Sequence, residues 1–218
     1  MYHNIFDTHS HYDDSKFDPD REELLNNLQS QGVSLVVSCG CDIDSTQFNF
    51  DLAQKYDYMY FAAGFHPENL KGATLEDLKV IEKFAKNNKC VAIGEIGLDY
   101  HYDNTDKPTQ KYWFSRQLEL AKEKIKKLQE LAENVSADDC HELMFAYELK
   151  ERLTVCITLI EHLKARKETR WHSFDENLDY PEKSDEWLKY VNSKKVDGEI
   201  KIITRQLVGR GESYEHNN

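Results

Sequence analysis

The sequence predicts an α/β fold in which about four parallel strands alternate with helices and are followed by a mainly α-helical C-terminal segment. Short apolar runs recur through the first half of the chain, and each is followed by a stretch with apolar residues at helical spacing. Runs that are apolar along their whole length are typical of parallel strands in a sheet covered on both faces. Beyond residue 121, helical spacing continues to residue 164 without another strand pattern.

Each predicted strand is a short run of aliphatic, aromatic or β-branched residues. The four strands are expected at 5–7, 33–38, 59–63 and 91–93. The helices between them are expected at 20–31, 45–56 and 75–87, and later helices at 122–131 and 138–164. Thr74 is the expected N-cap of the third helix, and Asp77 lies in its first turn.

The composition predicts a globular protein, since 39% of the 218 residues are hydrophobic and 31% are charged. A net charge of -12 argues against a broad basic face for nucleic acid, so any such contact must be local. The sequence contains no apolar stretch long enough for a membrane span and no secretory signal pattern. We therefore expect a cytoplasmic protein without membrane contact.

The cysteines are odd in number and lack CxxC spacing, which predicts reduced thiols in a cytosolic protein. They are Cys39, Cys41, Cys90, Cys140 and Cys156. The pair in Cys39-Gly40-Cys41 is open to two interpretations, metal or redox chemistry and small buried residues at a strand end. The pattern favours the second.

The segment Asp7-Thr8-His9-Ser10-His11 places two histidines at i and i+2, where the first predicted strand ends. Side chains two residues apart project from the same face of a strand, so both imidazoles can reach one metal ion. This pair predicts a metal site that needs further ligands.

Glu95 is the carboxylate best placed to join the two histidines. It lies between Gly94 and Gly97 directly after the fourth predicted strand, where packing is a poor explanation for an acid. Carboxyl ends of parallel strands are where such folds place their active sites. A set of two imidazoles and a carboxylate suits Zn, Mn or Mg, although a solvent-exposed or helix-capping acid is the alternative.

Two further polar residues lie at predicted strand ends. His66, in Gly64-Phe65-His66-Pro67, is a candidate for orienting a substrate phosphate or a bound water, or is an ordinary loop residue. Asp99 is a candidate for holding a ligand histidine by a hydrogen bond, or for capping a turn.

These motifs, taken in order, resemble those of the TatD family of metal-dependent deoxyribonucleases. The resemblance covers about residues 1–124 and is carried by the segments 7–11, 64–67, 94–100 and 110–121. It implies a TIM-type (β/α) barrel and a phosphodiester substrate, either DNA or a small phosphoester. It also implies that His9, His11 and Glu95 bind a divalent metal pair of Mg, Mn or Zn, with Glu95 as a catalytic residue and His66 and Asp99 in supporting roles.

The second half of the chain departs from that family pattern. The resemblance calls for a fifth strand with another histidine, and for a further histidine and an aspartate, but no such pattern follows residue 121. A complete barrel has eight strand–helix units, and this sequence offers about four. We therefore expect half a barrel, a truncated hydrolase of weak or no activity, and exposed sheet edges that favour a homodimer.

A second resemblance is carried by the segments 141–144, 165–171, 178–182, 185–189 and 198–200. Through them, about residues 126–208 resemble the helical C-terminal region of the flavoprotein subunits of adenylylsulfate reductase and fumarate reductase. The glycine-rich GxGxxG motif of dinucleotide binding is absent from the sequence, so no flavin is expected. The join near Lys124 suggests a fusion, with residues 125–208 as a second domain and 209–218 as a disordered tail. A noncatalytic interaction protein and a fragment of a flavin-dependent oxidoreductase subunit are the alternative functions.

Overall fold

The computed structural model describes residues 3–102, 104–168, 180 and 182–207. The chain divides into two compact units, and the second begins at Ile125. The expected disordered tail at 209–218 lies outside the described residues. Within the described ranges, no helix combines the length and hydropathy needed to cross a membrane.

The first unit is a four-stranded parallel sheet with helices between its strands, as the sequence predicts. The strands are β1 (Ile5–Ser10), β2 (Val33–Cys39), β3 (Met59–Ala63) and β4 (Cys90–Ile93). The intervening helices are α1 (Arg21–Leu28), α2 (Ile43–Lys55) and α3 (Leu75–Ala85), and α4 (Lys107–Ala132) follows β4. The spatial order β1-β2-β3-β4 equals the chain order. This arrangement is the beginning of a barrel-type α/β fold.

The core lies between the sheet and its helices. Phe61, Met59 and Val36 are fully buried on the sheet, and Ile81 on α3 packs with Phe61 in the same cluster. Each side chain of this size contributes about 1.5–3 kcal/mol when it is removed from water. This burial determines which face of each strand packs against the helices. It thereby also determines the position of the residues that follow each strand.

Two helices begin with reciprocal caps. The Asp42 side chain accepts a hydrogen bond from the Ser45 N–H at the start of α2, and the Ser45 hydroxyl accepts one from the Asp42 backbone N–H. Thr74 and Asp77 form the same capping box at α3, which confirms Thr74 as the predicted cap. The α2 cap matters for the site described below because it follows the end of β2 directly.

The two outer strands of the sheet expose apolar side chains. β1 and β4 are the edges of the four-stranded sheet, in agreement with the sequence. Ile5, Phe6 and Val91 on these strands are 41%, 52% and 43% exposed. A closed barrel would cover such edges by pairing them with further strands.

The second unit contains a long helix and an antiparallel hairpin. Helix α5 spans Cys140–Ala165, and Asp139 caps it by accepting hydrogen bonds from the N–H groups of His141 and Glu142. The hairpin consists of β5 (Lys189–Val196) and β6 (Glu199–Gln206). It turns at Asp197 and Gly198, whose φ angles of 52° and 84° suit the two-residue turn that Asp-Gly favours. The mainly helical prediction for this segment did not include the hairpin, because its strands are rich in lysine and lack a clear apolar alternation.

Candidate metal centre

The structure brings together the three candidate ligands that the sequence predicts. His9 lies in β1, His11 follows that strand by one residue, and Glu95 follows β4 by two. One ligand atom from each residue lies within 4.8 Å of those of the other two. Among the residues that the structure describes, this is the one group of three or more metal-ligating side chains found.

The distances between these ligand atoms suit a single metal ion. The two histidine Nε2 atoms are 3.1 Å apart, and the carboxylate oxygens lie 3.0 Å from His9 Nε2 and 3.4 Å from His11 Nε2. Ligands bound tetrahedrally at about 2.0–2.1 Å are separated by about 3.3 Å, and each of these three contacts is close to that separation. The side chains of His9, His11 and Glu95 are 54%, 37% and 28% exposed, which leaves the group open to water and substrate.

Glycines allow Glu95 to reach this position from β4. The Gly94 N–H donates to the Ala63 carbonyl, and the Glu95 N–H donates to the Gly40 carbonyl at the end of β2. The chain after β4 therefore crosses the end of β3. A Cβ atom on Gly64 would lie 2.9 Å from the carbonyl carbon of Gly94, so a side chain there would block the crossing.

Cys41 contacts the glutamate at this crossing. Its thiol donates a hydrogen bond of 3.3 Å to Glu95 Oε2. Burial, followed by this hydrogen bond with Glu95, raises the pKa of Cys41 well above its usual range. Burial and the charge of Glu95 raise the pKa of Cys39 to about 11. Both thiols are therefore protonated at neutral pH.

The contact of Cys41 with Glu95 was not found from the sequence. The favoured interpretation of the Cys39–Cys41 pair was small buried residues, and this holds for Cys39, which is 6% exposed. Detecting the role of Cys41 requires knowing that residues 94–95 cross to β2, although β4 pairs with β3 and not with β2.

Further carboxylates lie near Cys41 and Tyr12 at this end of the sheet. The charges of Asp13 and Asp42 contribute to the raised pKa of Cys41, and the charge of Asp7, after burial, raises that of Tyr12. A concentration of negative charge favours a cation at this end of the sheet and disfavours a phosphate unless a cation is present.

His66 and Asp99 lie outside the group of three ligands. His66 begins a short 3-10 helix, where its Nδ1 accepts the Glu68 N–H and its backbone N–H donates to the Cys41 carbonyl. The Asp99 carboxylate accepts the His101 N–H, which closes a turn. Their expected roles toward substrate or ligand histidine stay predictions.

Two buried glutamines of α4 hold the loops that carry these residues. Gln117 accepts the Phe65 N–H and donates to the Phe65 carbonyl, next to His66. Gln110 makes the same paired contacts with the backbone of Asp99. Both glutamines are 1% exposed. The start of α4 thereby fixes the loops after β3 and β4 relative to the sheet.

A parallel sheet with two histidines and a glutamate at the carboxyl ends of its strands defines an α/β protein of the barrel type with a candidate divalent-metal site. The profile of the TatD related DNase family matches residues 6–184. The chain therefore belongs to the TatD family, as the motifs of its first half predict.

Curated relatives match a little over half of this chain. YabD, a metal-dependent hydrolase of Bacillus subtilis, is 39% identical over 119 residues, which are 55% of this chain and 47% of YabD. The 3'-5' ssDNA/RNA exonuclease TatD of Erwinia tasmaniensis is 31% identical over 120 residues, which are 55% of this chain and 46% of that protein. The chain spans about half the length of the curated relatives that it matches.

Solved structures support the barrel-type fold. The TatD homologue YjjV of Escherichia coli superposes with a TM-score of 0.51 and 24% identity, over 69% of this chain and 65% of that one. A TatD family hydrolase of Entamoeba histolytica gives a TM-score of 0.50 and 22% identity, over 56% and 47% of the two chains.

Proposed function

We propose that this protein is a divalent-metal-dependent hydrolase of phosphodiester bonds, with weak activity because part of the expected ligand set is missing. The convergence of His9, His11 and Glu95 within 4.8 Å carries the proposal. A divalent cation bound there would polarise the phosphoryl group and lower the pKa of a bound water. The two imidazoles suit Zn, and the carboxylate also suits Mn and Mg.

The three ligands would have separate tasks. His9 and His11 would hold the cation as neutral imidazoles through Nε2, and Glu95 would neutralise part of its charge. The half-exposed surface of the group would leave room for a substrate phosphate and an attacking water. Because several acids lie nearby, the phosphate would bind only when the cation is in place.

We propose single-stranded nucleic acid or a small phosphoester as the substrate. Support comes from the relatives named ssDNA/RNA exonucleases. The net charge of -12 limits contact with nucleic acid to the metal centre and its rim. The cytoplasm is the proposed location, supported by the five cysteines, all of which are free thiols.

We also propose a homodimer formed through the exposed edges of β1 and β4. This arrangement is supported by the apolar residues that both edges expose. It would compensate for the missing half of the barrel.

Isothermal titration with Mn²⁺ and Zn²⁺ tests the metal centre. We expect binding to the wild-type protein and a loss of at least tenfold in affinity in His9→Ala and Glu95→Ala, because each removes a direct ligand. His141→Ala is the matched control, since His141 is an exposed histidine on α5 and outside the ligand group. A wild-type protein without metal-dependent heat would contradict the proposal.

Cleavage of labelled single-stranded DNA and RNA oligonucleotides with added Mn²⁺ tests the reaction. We expect slow, EDTA-sensitive cleavage that Glu95→Ala abolishes. If the protein binds metal but cleaves neither the oligonucleotides nor a small phosphodiester, the site is a metal-binding site only and the proposed hydrolase activity is contradicted.

A further inference from the structure

Each oxygen of the Glu95 carboxylate has its own neighbour in the site. Oε1 lies 3.0 Å from His9 Nε2. Oε2 lies 3.4 Å from His11 Nε2 and accepts the Cys41 thiol at 3.3 Å. Among the described contacts, the thiol is the hydrogen-bond donor to this carboxylate that comes from outside the three candidate ligands.

Cys41 is held from both sides of its backbone. Its N–H donates to Ser45 Oγ at 2.8 Å, within the capping box that starts α2. Its carbonyl accepts the His66 N–H at 2.9 Å. A thiol on such a fixed backbone has a defined position, and it can therefore orient a partner that would otherwise rotate.

We infer that Cys41 is a positioning residue that orients the Glu95 carboxylate for metal binding, acting as a hydrogen-bond donor and not as a ligand. The thiol lies beside the ligand group but is not a member of it, since the atoms that lie within 4.8 Å of one another belong to His9, His11 and Glu95. The inference rests on the proposed function only in requiring that these three residues bind a cation.

The expected loss of metal affinity depends on how strong a hydrogen-bond donor the Cys41 thiol is. Groups that hydrogen-bond to metal ligands typically change metal affinity by about 10–100-fold when removed. A thiol is a weak donor, so Cys41→Ala should lie at the lower end, with affinity for Mn²⁺ or Zn²⁺ reduced about tenfold. Cys41→Ser keeps a donor at the same position and should lose less affinity than Cys41→Ala.

Isothermal titration of the full chain with Zn²⁺ measures these affinities. Cys90→Ala is the matched control, because it removes a buried thiol from the same sheet whose hydrogen bond goes to the Ala92 carbonyl and not to Glu95. Thermal unfolding of the metal-free variants shows whether each still folds. Equal affinities of wild type, Cys41→Ala and Cys90→Ala would overturn the inference.

The absorption spectrum of the Co²⁺-loaded protein separates a donor from a ligand. A thiolate bound to Co²⁺ gives an intense sulfur-to-metal charge-transfer band in the near ultraviolet. We expect no such band in wild type and unchanged visible bands in Cys90→Ala, with altered visible bands in Cys41→Ala. A charge-transfer band lost in Cys41→Ala would make Cys41 a ligand and overturn the positioning role. Failure of the wild type to bind any cation would instead contradict the proposed function.

Discussion

Gly40 determines how closely the end of β2 approaches α2 behind the candidate metal centre. A Cβ atom at this position would lie 2.2 Å from Thr46 Oγ1 and 2.9 Å from Thr46 Cα. We expect Gly40→Ala to lower the free energy of unfolding by about 1–3 kcal/mol, the usual cost of overpacking. Zn²⁺ affinity should fall too, because the Gly40 carbonyl accepts the Glu95 N–H. Urea unfolding and isothermal titration measure the two effects.

The variant Gly40→Ala/Thr46→Ala tests this explanation. Thr46 Oγ1 is buried and has no hydrogen-bond partner, so Thr46→Ala alone should cost little. It also removes the atom nearest to the added methyl group, so the double variant should recover part of the lost stability. Additive losses would show that the clash with Thr46 Oγ1 is not the cause and would leave the closeness to Thr46 Cα as the explanation.

The sequence was sufficient to predict the histidine pair but not its surroundings. His9 and His11 follow from the two-residue period of a strand, and Glu95 from its position after β4. The roles of Gly40 and Cys41 depend on residues 94–95 crossing the end of β3. A crossing between strands that are not neighbours leaves no periodic pattern in the sequence.

Helix α4 begins at an acidic cap whose effect should depend on pH. Asp106 accepts the Thr109 hydroxyl at 2.7 Å and the Thr109 N–H at 3.0 Å. These hydrogen bonds, the hydroxyl first, lower the pKa of Asp106. Since the folded pKa is below the unfolded one, the stabilisation is present above the unfolded pKa of about 3.9 and is lost as the pH falls through the folded value.

Urea unfolding of wild type and Asp106→Ala between pH 7 and acid measures this effect. We expect the difference in stability between them to be constant near neutrality and to shrink below about pH 4. Asp20→Ala is the matched control, because Asp20 precedes α1 without a side-chain capping hydrogen bond. If the free energy of unfolding of wild type exceeded that of Asp106→Ala by the same amount at acidic pH, the ionised Asp106 cap would not be the source of the difference.

The elements differ in how well the sequence predicts them. The strands of the first unit are short apolar runs, and the Thr74 cap of α3 is a local side-chain contact, so both leave clear patterns. The expected second helix starts at residue 45, whereas α2 starts at Ile43 behind the Asp42 cap. The β5–β6 hairpin carries only the Asp197–Gly198 turn as a strong signal. Its strands pair with each other and bury little, so they need no regular apolar face.

At the scale of the molecule, the parallel sheet that the described residues form has four strands, with β1 and β4 at its edges. Two copies related by a two-fold axis along the barrel could place β4 of each beside β1 of the other, giving eight parallel strands. Every edge would then be paired, and both groups of His9, His11 and Glu95 would lie at the same end of the barrel. Such a dimer would also bring one copy's polar loops close to His9, His11 and Glu95 of the other.

Light scattering during size-exclusion chromatography at several protein concentrations tests this dimer. We expect a concentration-dependent dimer for wild type and a monomer for Val91→Lys, since a charge on an edge strand opposes pairing. Val80→Lys is the matched control, because Val80 is 36% exposed on helix α3 and is not part of an edge strand. A dimer that persists in Val91→Lys would have to form through another surface. A wild-type protein that is monomeric at every concentration would contradict the proposed dimer.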